Sequence, residues 1–238
     1  ASADVFTYEF ENIPVAWVEY IAAKKPVYPS VKSLAVSQNR INEKKLFQCL
    51  NIPAAAYHEV HNQADLTQAV AVLGLPLVIK TTMGGYDGKG QFVIRDATQV
   101  AQAWSELQAG APLIAEAFIS FERELSIIAV RSQTGETQCY PLAWNTHYQG
   151  ILSHSIVPAP QVSPQIQAQA EQYITQILHE LNHVGVLTLE LFQTLSGLYA
   201  NETAPRVHNS GHWSIEGAVC SQFENHMRAV AGLPLGVT

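Results

Sequence analysis

The chain has 238 residues, 47% of them hydrophobic and 14% charged, with a net charge of −7. That length and apolar fraction suit a soluble globular protein of one large or two small domains with a substantial core. The 13 Lys and Arg form no basic run and no apolar stretch reaches membrane-spanning length, so neither a broad nucleic-acid-binding patch nor a membrane helix is expected.

Cys49, Cys139 and Cys220 are odd in number and widely spaced, which fits neither a disulfide framework nor a metal finger. With no signal-peptide pattern at the N-terminus, a reducing cytoplasm is the expected compartment. Ala1–Pro14 lacks an initiator Met and reads as the end of a preceding unit, so the chain is expected to be a fragment. Within it, Asp4–Phe10 is predicted as a buried strand.

Val15–Ala23 predicts a short helix ended by Pro26–Ser30. A second helix is predicted to open at Ser37-Gln38-Asn39-Arg40, with Ser37 as its cap, and to run to about Leu50 before Asn51-Ile52-Pro53. Tyr57–Val60 is strand-like. Asn62 or Asp65 caps a helix reaching Leu73, closed by Gly74 and Pro76.

Leu77-Val78-Ile79-Lys80 is a short apolar strand ending on a lysine. Met83–Gly90 follows, with four glycines in seven residues, and Gln91–Arg95 forms the next strand. Such a loop can present backbone N–H groups to an anion. It lacks the Gly-Lys-Ser/Thr end of a Walker A loop and the Rossmann spacing, and a strand rather than a helix follows it. A flap over phosphates, flanked by Lys80 and Lys89, fits the pattern.

Ala97–Gln108 predicts a helix and Leu113–Phe118 a strand. Arg123–Arg131, Gln138–Trp144 and Ile151–Val157 form an antiparallel set. In Ser163–His183, the positions Ile166, Ala170, Ile174, Ile177, Leu178 and Leu181 repeat at helical spacing, a structural helix. Ser214 or Glu216 to about Ala231 is a closing helix.

The chemistry concentrates between these last two helices. Val184–Thr194 is apolar apart from Glu190, and Leu198–Glu202 is a second short strand. A three-residue Leu195-Ser196-Gly197 turn would pair Glu190 with Glu202, their Cβ atoms roughly 5 Å apart. Facing carboxylates repel unless a cation lies between them, and Mg²⁺ carrying substrate phosphates is the expected one. Asn201–His212 then places a carboxylate, a guanidinium, two imidazoles, two amides and two hydroxyls within twelve residues.

Lys80, the run Gly84–Gln91, Glu116, Glu124, Glu190 and Asn201-Glu202, in that order, resemble the ATP-grasp superfamily. The run Glu202–Trp213 is similar to one branch of it, the N5-carboxyaminoimidazole ribonucleotide synthetases of purine biosynthesis, and the likeness extends from Asp4 to Pro234. The resemblance implies an α+β fold of two α+β lobes with nucleotide between them. Residues 1–30 would be the tail of an N-terminal nucleotide-binding-like domain and residues 31–234 the ATP-grasp domain, its smaller lid lobe at about 75–118. Residues 235–238 would begin a C-terminal domain, both terminal family domains being incomplete.

It also implies ATP and Mg²⁺ as cofactors, bicarbonate and aminoimidazole ribonucleotide as substrates, and a homodimer. Glu190 and Glu202 would hold Mg²⁺ beside Asn201, with Arg40, Lys80 and Lys89 on the nucleotide. Gly85, Gly88, Gly90 and Gln91 would belong to the closing loop, and Tyr86 and Asp87 would meet the aminoimidazole nucleotide. Glu116, Ala117, Phe118 and Ile119 would form the strand that binds adenine, Glu124 would bind the ribose, and His147 would lie in the nucleotide site. Arg206, His208 and Asn209 would cradle bicarbonate, with Glu9, or by a one-residue shift Glu11, beside them. Many superfamily members carry Asn two residues after the second glutamate, where this chain has Ala204. A formate-dependent glycinamide ribonucleotide transformylase-like enzyme and a non-catalytic ATP-binding module are the alternative readings.

Overall fold

The computed structural model describes residues 3–85, 89–107 and 112–238. The expectations for Tyr86, Asp87 and Gly88 lie outside the described residues.

The strand expected over Asp4–Phe10 does not form. That segment makes one parallel bridge, Phe6 to Val27, with Phe6 N–H donating to Pro26 O and Tyr28 N–H to Phe6 O (both 2.9 Å). Prolines on the partner segment remove the donors that would extend the ladder. Three helices follow, α1 (Val15–Ala22), α2 (Val31–Ser37) and α3 (Arg40–Cys49). Ser37 is therefore the last residue of α2, capped by Ser30, and not the cap of α3. Asn39 caps α3, its side chain accepting from the backbone N–H of Ile41 and Asn42 (3.0 and 3.2 Å).

The smaller lobe contains β1 (Tyr57–Val60), α4 (Gln63–Leu73), β2 (Leu77–Thr81), β3 (Gln91–Ile94), α5 (Val100–Leu107) and β4 (Leu113–Ala117). Its four strands lie in the order β1-β4-β2-β3, all antiparallel. The lobe thus begins near residue 57 rather than 75, because Tyr57–Val60 pairs with β4. Leu77 and Ile79 point into a core shared with Leu66, Ala69 and Ala103 of the helices. The alternate residues of the same strand, Val78 and Lys80, face the other way and line a cavity.

The larger lobe contains β5 (Arg123–Arg131), β6 (Thr137–Cys139), β7 (Ala143–Tyr148), β8 (Ile151–Ile156), α6 (Pro164–Glu180), β9 (Gly185–Thr194), β10 (Gly197–Ala204), α7 (Ser214–Gly217) and α8 (Gln222–Val230). The strand order is β10-β9-β5-β7-β8, with β6 pairing the far end of β5. The strand expected over Gln138–Trp144 divides around Tyr140-Pro141-Leu142, where Pro141 cannot donate to a ladder. The closing helix likewise divides, and Ser221 recaps its second part by accepting from Glu224 N–H (3.1 Å).

Alternation along β5 and β9 assigns the two faces of this sheet. Leu125, Ile127, Ala129, Leu187, Leu189 and Leu191 pack on α6 through Ala170, Tyr173, Ile174, Ile177 and Leu178. Each such buried aliphatic side chain contributes about 1.5–3 kcal/mol relative to exposure. The opposite face is divided lengthwise. Ile128, Val130 and Val186 are covered by Ala229 of α8 and by Trp213, whereas Glu124, Ser126, Glu190 and Phe192 lie toward the other lobe.

The β9–β10 hairpin differs from its expected register and then recovers it. Thr194 pairs with Gly197 around a two-residue turn, so Phe192 faces Tyr199 and Leu191 faces Ala200. A β-bulge follows, in which Asn201 and Glu202 together oppose Glu190, and Thr203 pairs with Leu189. The bulge rather than the turn places both acids at one cleft.

Candidate active site

Two adjoining cavities lie between the lobes, with volumes of ≈ 310 and ≈ 230 Å³. Both are lined by Arg40, Gly85, His147, Gly150, Glu190 and Glu202. The larger runs under β2 and β3 and has apolar walls at Val78, Val93, Phe118, Ile119 and the stacked pair Phe121–Phe192 (centroids 4.6 Å apart, 9° between planes). The smaller is polar and includes Glu11, Thr82, Arg206, His208 and Asn209. A flat, partly apolar molecule suits the first compartment and a small anion the second, and the two acids stand where they meet.

In the larger compartment, Lys80 Nζ donates to Glu116 Oε2 (2.9 Å) and Lys44 Nζ lies 3.6 Å from Glu116 Oε1. Lys44 also donates to the carbonyl of Asn201 (3.1 Å), fixing the bulge. Burial would raise the Glu116 pKa, but Lys80 and Lys44 more than reverse this and hold it below the usual carboxylate range. For Lys44 burial wins, and its pKa is lowered. Glu116 was expected only as part of a base-binding strand, yet its side chain is a buried anchor for two lysines. Ala117, Phe118 and Ile119 follow it into the cavity wall.

Arg40 Nη1 donates to Glu202 Oε2 (2.8 Å). Burial pushes Glu202 up, while Arg40 and then Lys80 pull it below its ordinary pKa. Glu43, one turn along α3, accepts from Thr203 N–H and Oγ1–H (2.5 and 2.6 Å), and burial raises its pKa to about 7. Consecutive residues of the bulged strand, Asn201, Glu202 and Thr203, are thus gripped by Lys44, Arg40 and Glu43. Glu124 contacts His147 Nδ1, and this carboxylate holds the imidazole above its usual pKa against the opposing effect of burial.

The described ends of the glycine loop meet the small lobe at the cavity, where Gly85 lines the wall and Thr81 N–H donates to Gly90 O (2.8 Å). Gly90 has φ +73°, and a Cβ there would lie 2.8 Å from Thr81 Oγ1. A Cβ at Gly85 would lie 3.2 Å from Arg40 Nη2. Lys89 and Gln91 line the larger cavity.

In the smaller compartment, Arg206 Nη2 donates to Glu11 Oε1 (2.7 Å) and Nε pairs with Glu11 Oε2. Burial would raise Glu11, but the guanidinium more than compensates and its pKa is lowered. The choice of Glu9 is corrected here. Glu9 is exposed and lies outside the cavity lining, because the segment is not a strand and Glu11 turns inward. Arg206 also donates from Nη1 to Val207 O (2.9 Å). Its planar fork is therefore engaged by Glu11, and an anion would meet the remaining N–H groups of Nη1 and Nη2. His208 Nε2 lies 3.1 Å from Glu190 Oε1, and Asn209 lines the cavity beside it.

Among the described residues, no group of three or more His, Cys, Asp or Glu forms a metal cage. Glu190 and Glu202 instead supply two hard carboxylates at the junction of the compartments. That matches what Mg²⁺ takes from a protein when phosphates and water complete its shell.

Residues 45–223 match the family model for the ATP-grasp domain. This chain is a member of the ATP-grasp family. The ATP-grasp chain is 50% identical over 235 residues to the N5-carboxyaminoimidazole ribonucleotide synthase of Pseudomonas aeruginosa, an alignment covering 99% of this chain and 64% of that protein. The crystal structure of the N5-carboxyaminoimidazole ribonucleotide synthetase from Thermus thermophilus superposes with a TM-score of 0.94 at 46% identity, over 100% of this chain and 64% of that one. The Aspergillus clavatus synthase, solved in complex with ADP and 5-aminoimidazole ribonucleotide, gives a TM-score of 0.92 at 29% identity, over 99% and 61% of the two chains. The chain thus spans just under two thirds of the length of these relatives.

Within this ATP-grasp domain, Lys44, Glu43, Phe121 and Phe192 escaped the sequence reading. A lysine and a glutamate on a polar helix look solvated, and only the tertiary fold brings α3 under β10. Phe192, two residues after Glu190, shares its face by strand alternation and was legible in principle.

Proposed function

We propose that this chain carries the ATP-dependent carboxylation of 5-aminoimidazole ribonucleotide with bicarbonate, giving N5-carboxyaminoimidazole ribonucleotide, ADP and phosphate. The observation that carries the reading is the shared wall: Glu190 and Glu202 border both the base-sized compartment and the small-anion compartment. A nucleotide in the first would direct its γ-phosphate toward an acceptor in the second.

The apolar walls around Phe118, Ile119, Phe121 and Phe192 take the base. Glu124 and His147 suit the ribose hydroxyls, and Lys80, Lys89 and Arg40 the phosphates. Glu190 and Glu202 are the residues that would hold Mg²⁺, which when bound supplies charge neutralisation to the β- and γ-phosphates. A bicarbonate oxygen bonds to the γ-phosphorus as its bond to the β–γ bridging oxygen breaks, releasing ADP and leaving carboxyphosphate. Arg206, His208 and Asn209 orient that acceptor, and positioning is the main demand of the step. The 5-amino nitrogen then bonds to the carboxyl carbon, the carbon–oxygen bond to phosphate breaks, and the amine proton leaves with phosphate. We place Tyr86 and Asp87 on the aminoimidazole nucleotide, and expect a cytoplasmic homodimer.

Phosphate release decides the reading. ATP turnover is expected to require bicarbonate and aminoimidazole ribonucleotide together. Turnover with formate and glycinamide ribonucleotide instead would transfer the chain to the transformylase reading, and nucleotide binding without turnover to a binding module.

A further inference from the structure

A chain of buried polar side chains runs beside the smaller compartment without belonging to its lining. Ser126 of β5, Asn145 of β7 and Ser210, just past His208, are 1%, 4% and 1% exposed. Their hydrogen bonds have a direction. Ser155 Oγ donates to Asn145 Oδ1 (2.7 Å), Asn145 Nδ2 donates to Ser126 Oγ (2.9 Å), and Ser126 Oγ donates to Ser210 Oγ (2.8 Å). Ser210 Oγ, having accepted one proton, has its own to give, and His208 Nδ1 lies 2.9 Å away. The backbone N–H of Ser210, which can only donate, points at the same nitrogen (3.3 Å). Two donors therefore converge on Nδ1.

An imidazole nitrogen that accepts carries no proton, so the single ring proton of neutral His208 is on Nε2. Nε2 lies on the side of the anion compartment, 3.1 Å from Glu190 Oε1. We infer that Ser126, Asn145 and Ser210 are positioning residues that fix His208 as the Nε2–H tautomer, so that it faces the anion compartment as a hydrogen-bond donor and not as a base. The inference deepens the reading of the small compartment proposed above. It assigns His208 the task of donating to negative charge, held by Glu190 in the free protein and available to an acceptor anion or its phosphorylated product. A proton-abstracting role would need the other tautomer, which would set Nδ1–H against the Ser210 N–H.

The test is a long-range ¹H–¹⁵N correlation spectrum of the ¹⁵N-histidine-labelled 238-residue protein without added metal or nucleotide, with the His208 signals assigned from their loss in His208→Asn. The expected pattern has a proton-bearing Nε2 and a bare Nδ1. Ser210→Ala and Ser126→Ala should populate the Nδ1–H form, and kcat should fall about tenfold with the KM for ATP changed less than about twofold, as for one misdirected hydrogen bond. Ser210→Thr, which keeps the hydroxyl, should restore both. A bare Nε2 in the wild type, or an imidazole spectrum unmoved by both alanine variants, overturns the inference. Should a variant fail to fold, the wild-type spectrum decides alone. A protein that shows the expected tautomer but no bicarbonate-dependent turnover sinks the proposed reaction and leaves the tautomer assignment standing.

Discussion

Replacing Glu116 by Gln tests whether the buried charges under the nucleotide compartment act as one unit. Glu116 and Lys44 side chains are 6% and 2% exposed and Lys80 is 15% exposed, with N–O separations of 2.9 Å to Lys80 and 3.6 Å to Lys44. At an effective dielectric of about 20 those separations correspond to gross attractions of roughly 6 and 5 kcal/mol. Desolvation offsets most of this, and removing one partner of a buried pair costs about 3–5 kcal/mol because the other charge is stranded. Gln keeps a hydrogen-bond acceptor for Lys80, so about 3 kcal/mol is expected, which for a chain of this size lowers Tm by about 6–12 °C. Lys44, already lowered in pKa by burial, can relieve the strain by shedding its proton. The deficit should therefore shrink as pH rises from about 7 to about 9. Thermal unfolding followed by circular dichroism reads both effects. The control is Glu180→Gln, which breaks the exposed Lys32–Glu180 pair (2.7 Å, side chains 55% and 42% exposed) and should cost about 0–1 kcal/mol. A Glu116→Gln variant that melts within a degree of wild type, or no further from it than Glu180→Gln, refutes the reasoning.

Acid should loosen the far side of the large sheet before it reaches the site. His183 and His226 are buried and neutral, their pKa values pushed down by burial to about 3 and about 4, and they hold Val186 O and N–H (3.0 and 3.1 Å). The unfolded chain takes up these protons first. Their stabilisation is thus complete above about pH 6.5 and is lost progressively toward about pH 3–4, at up to about 1.4 kcal/mol per pH unit for each group. Urea midpoints from about pH 7 to about pH 4 check this, and a flat profile above about pH 5 would contradict it. Glu11→Ala strips Arg206 of its counter-charge and should lower turnover about ten- to hundredfold, the worth of a charged hydrogen-bond pair, while Glu9→Ala stays within about twofold; equal losses would restore Glu9 to the site. Arg206→Lys should fail nearly as badly as Glu11→Ala, because an ammonium cannot span both Glu11 oxygens, and steady-state kinetics with saturating ATP distinguishes it from a nucleotide defect.

Much of this was legible before any coordinates. The glycine loop between two strands, the long apolar stripe of α6 and the Asn201–His212 run are local patterns, and local patterns survive folding. The errors have a common origin in contacts distant in sequence. Glu190 and Glu202 share a cleft as expected, though through a bulge that no glycine or proline announces, gripped by Arg40, Glu43 and Lys44 from more than 150 residues away. Repulsion between the two acids was the expected tension. Instead Arg40 holds one and His208 lies on the other. Glu9 was preferred to Glu11 by assuming strand alternation in a segment that forms a single bridge. Ser37 has the chemistry of a cap, but a short helix ends on it and Asn39 does the capping.

The central claim is that Glu190 and Glu202 jointly hold the divalent ion of a bound nucleotide. Mn²⁺ in place of Mg²⁺ makes the site visible to electron paramagnetic resonance, and titrating the protein into Mn²⁺·ATP measures it directly. The account predicts a protein-bound Mn²⁺·ATP signal whose affinity falls about ten- to hundredfold in both Glu190→Gln and Glu202→Gln, each losing a charged ligand. Unchanged Mn²⁺·ATP affinity in either variant would contradict it.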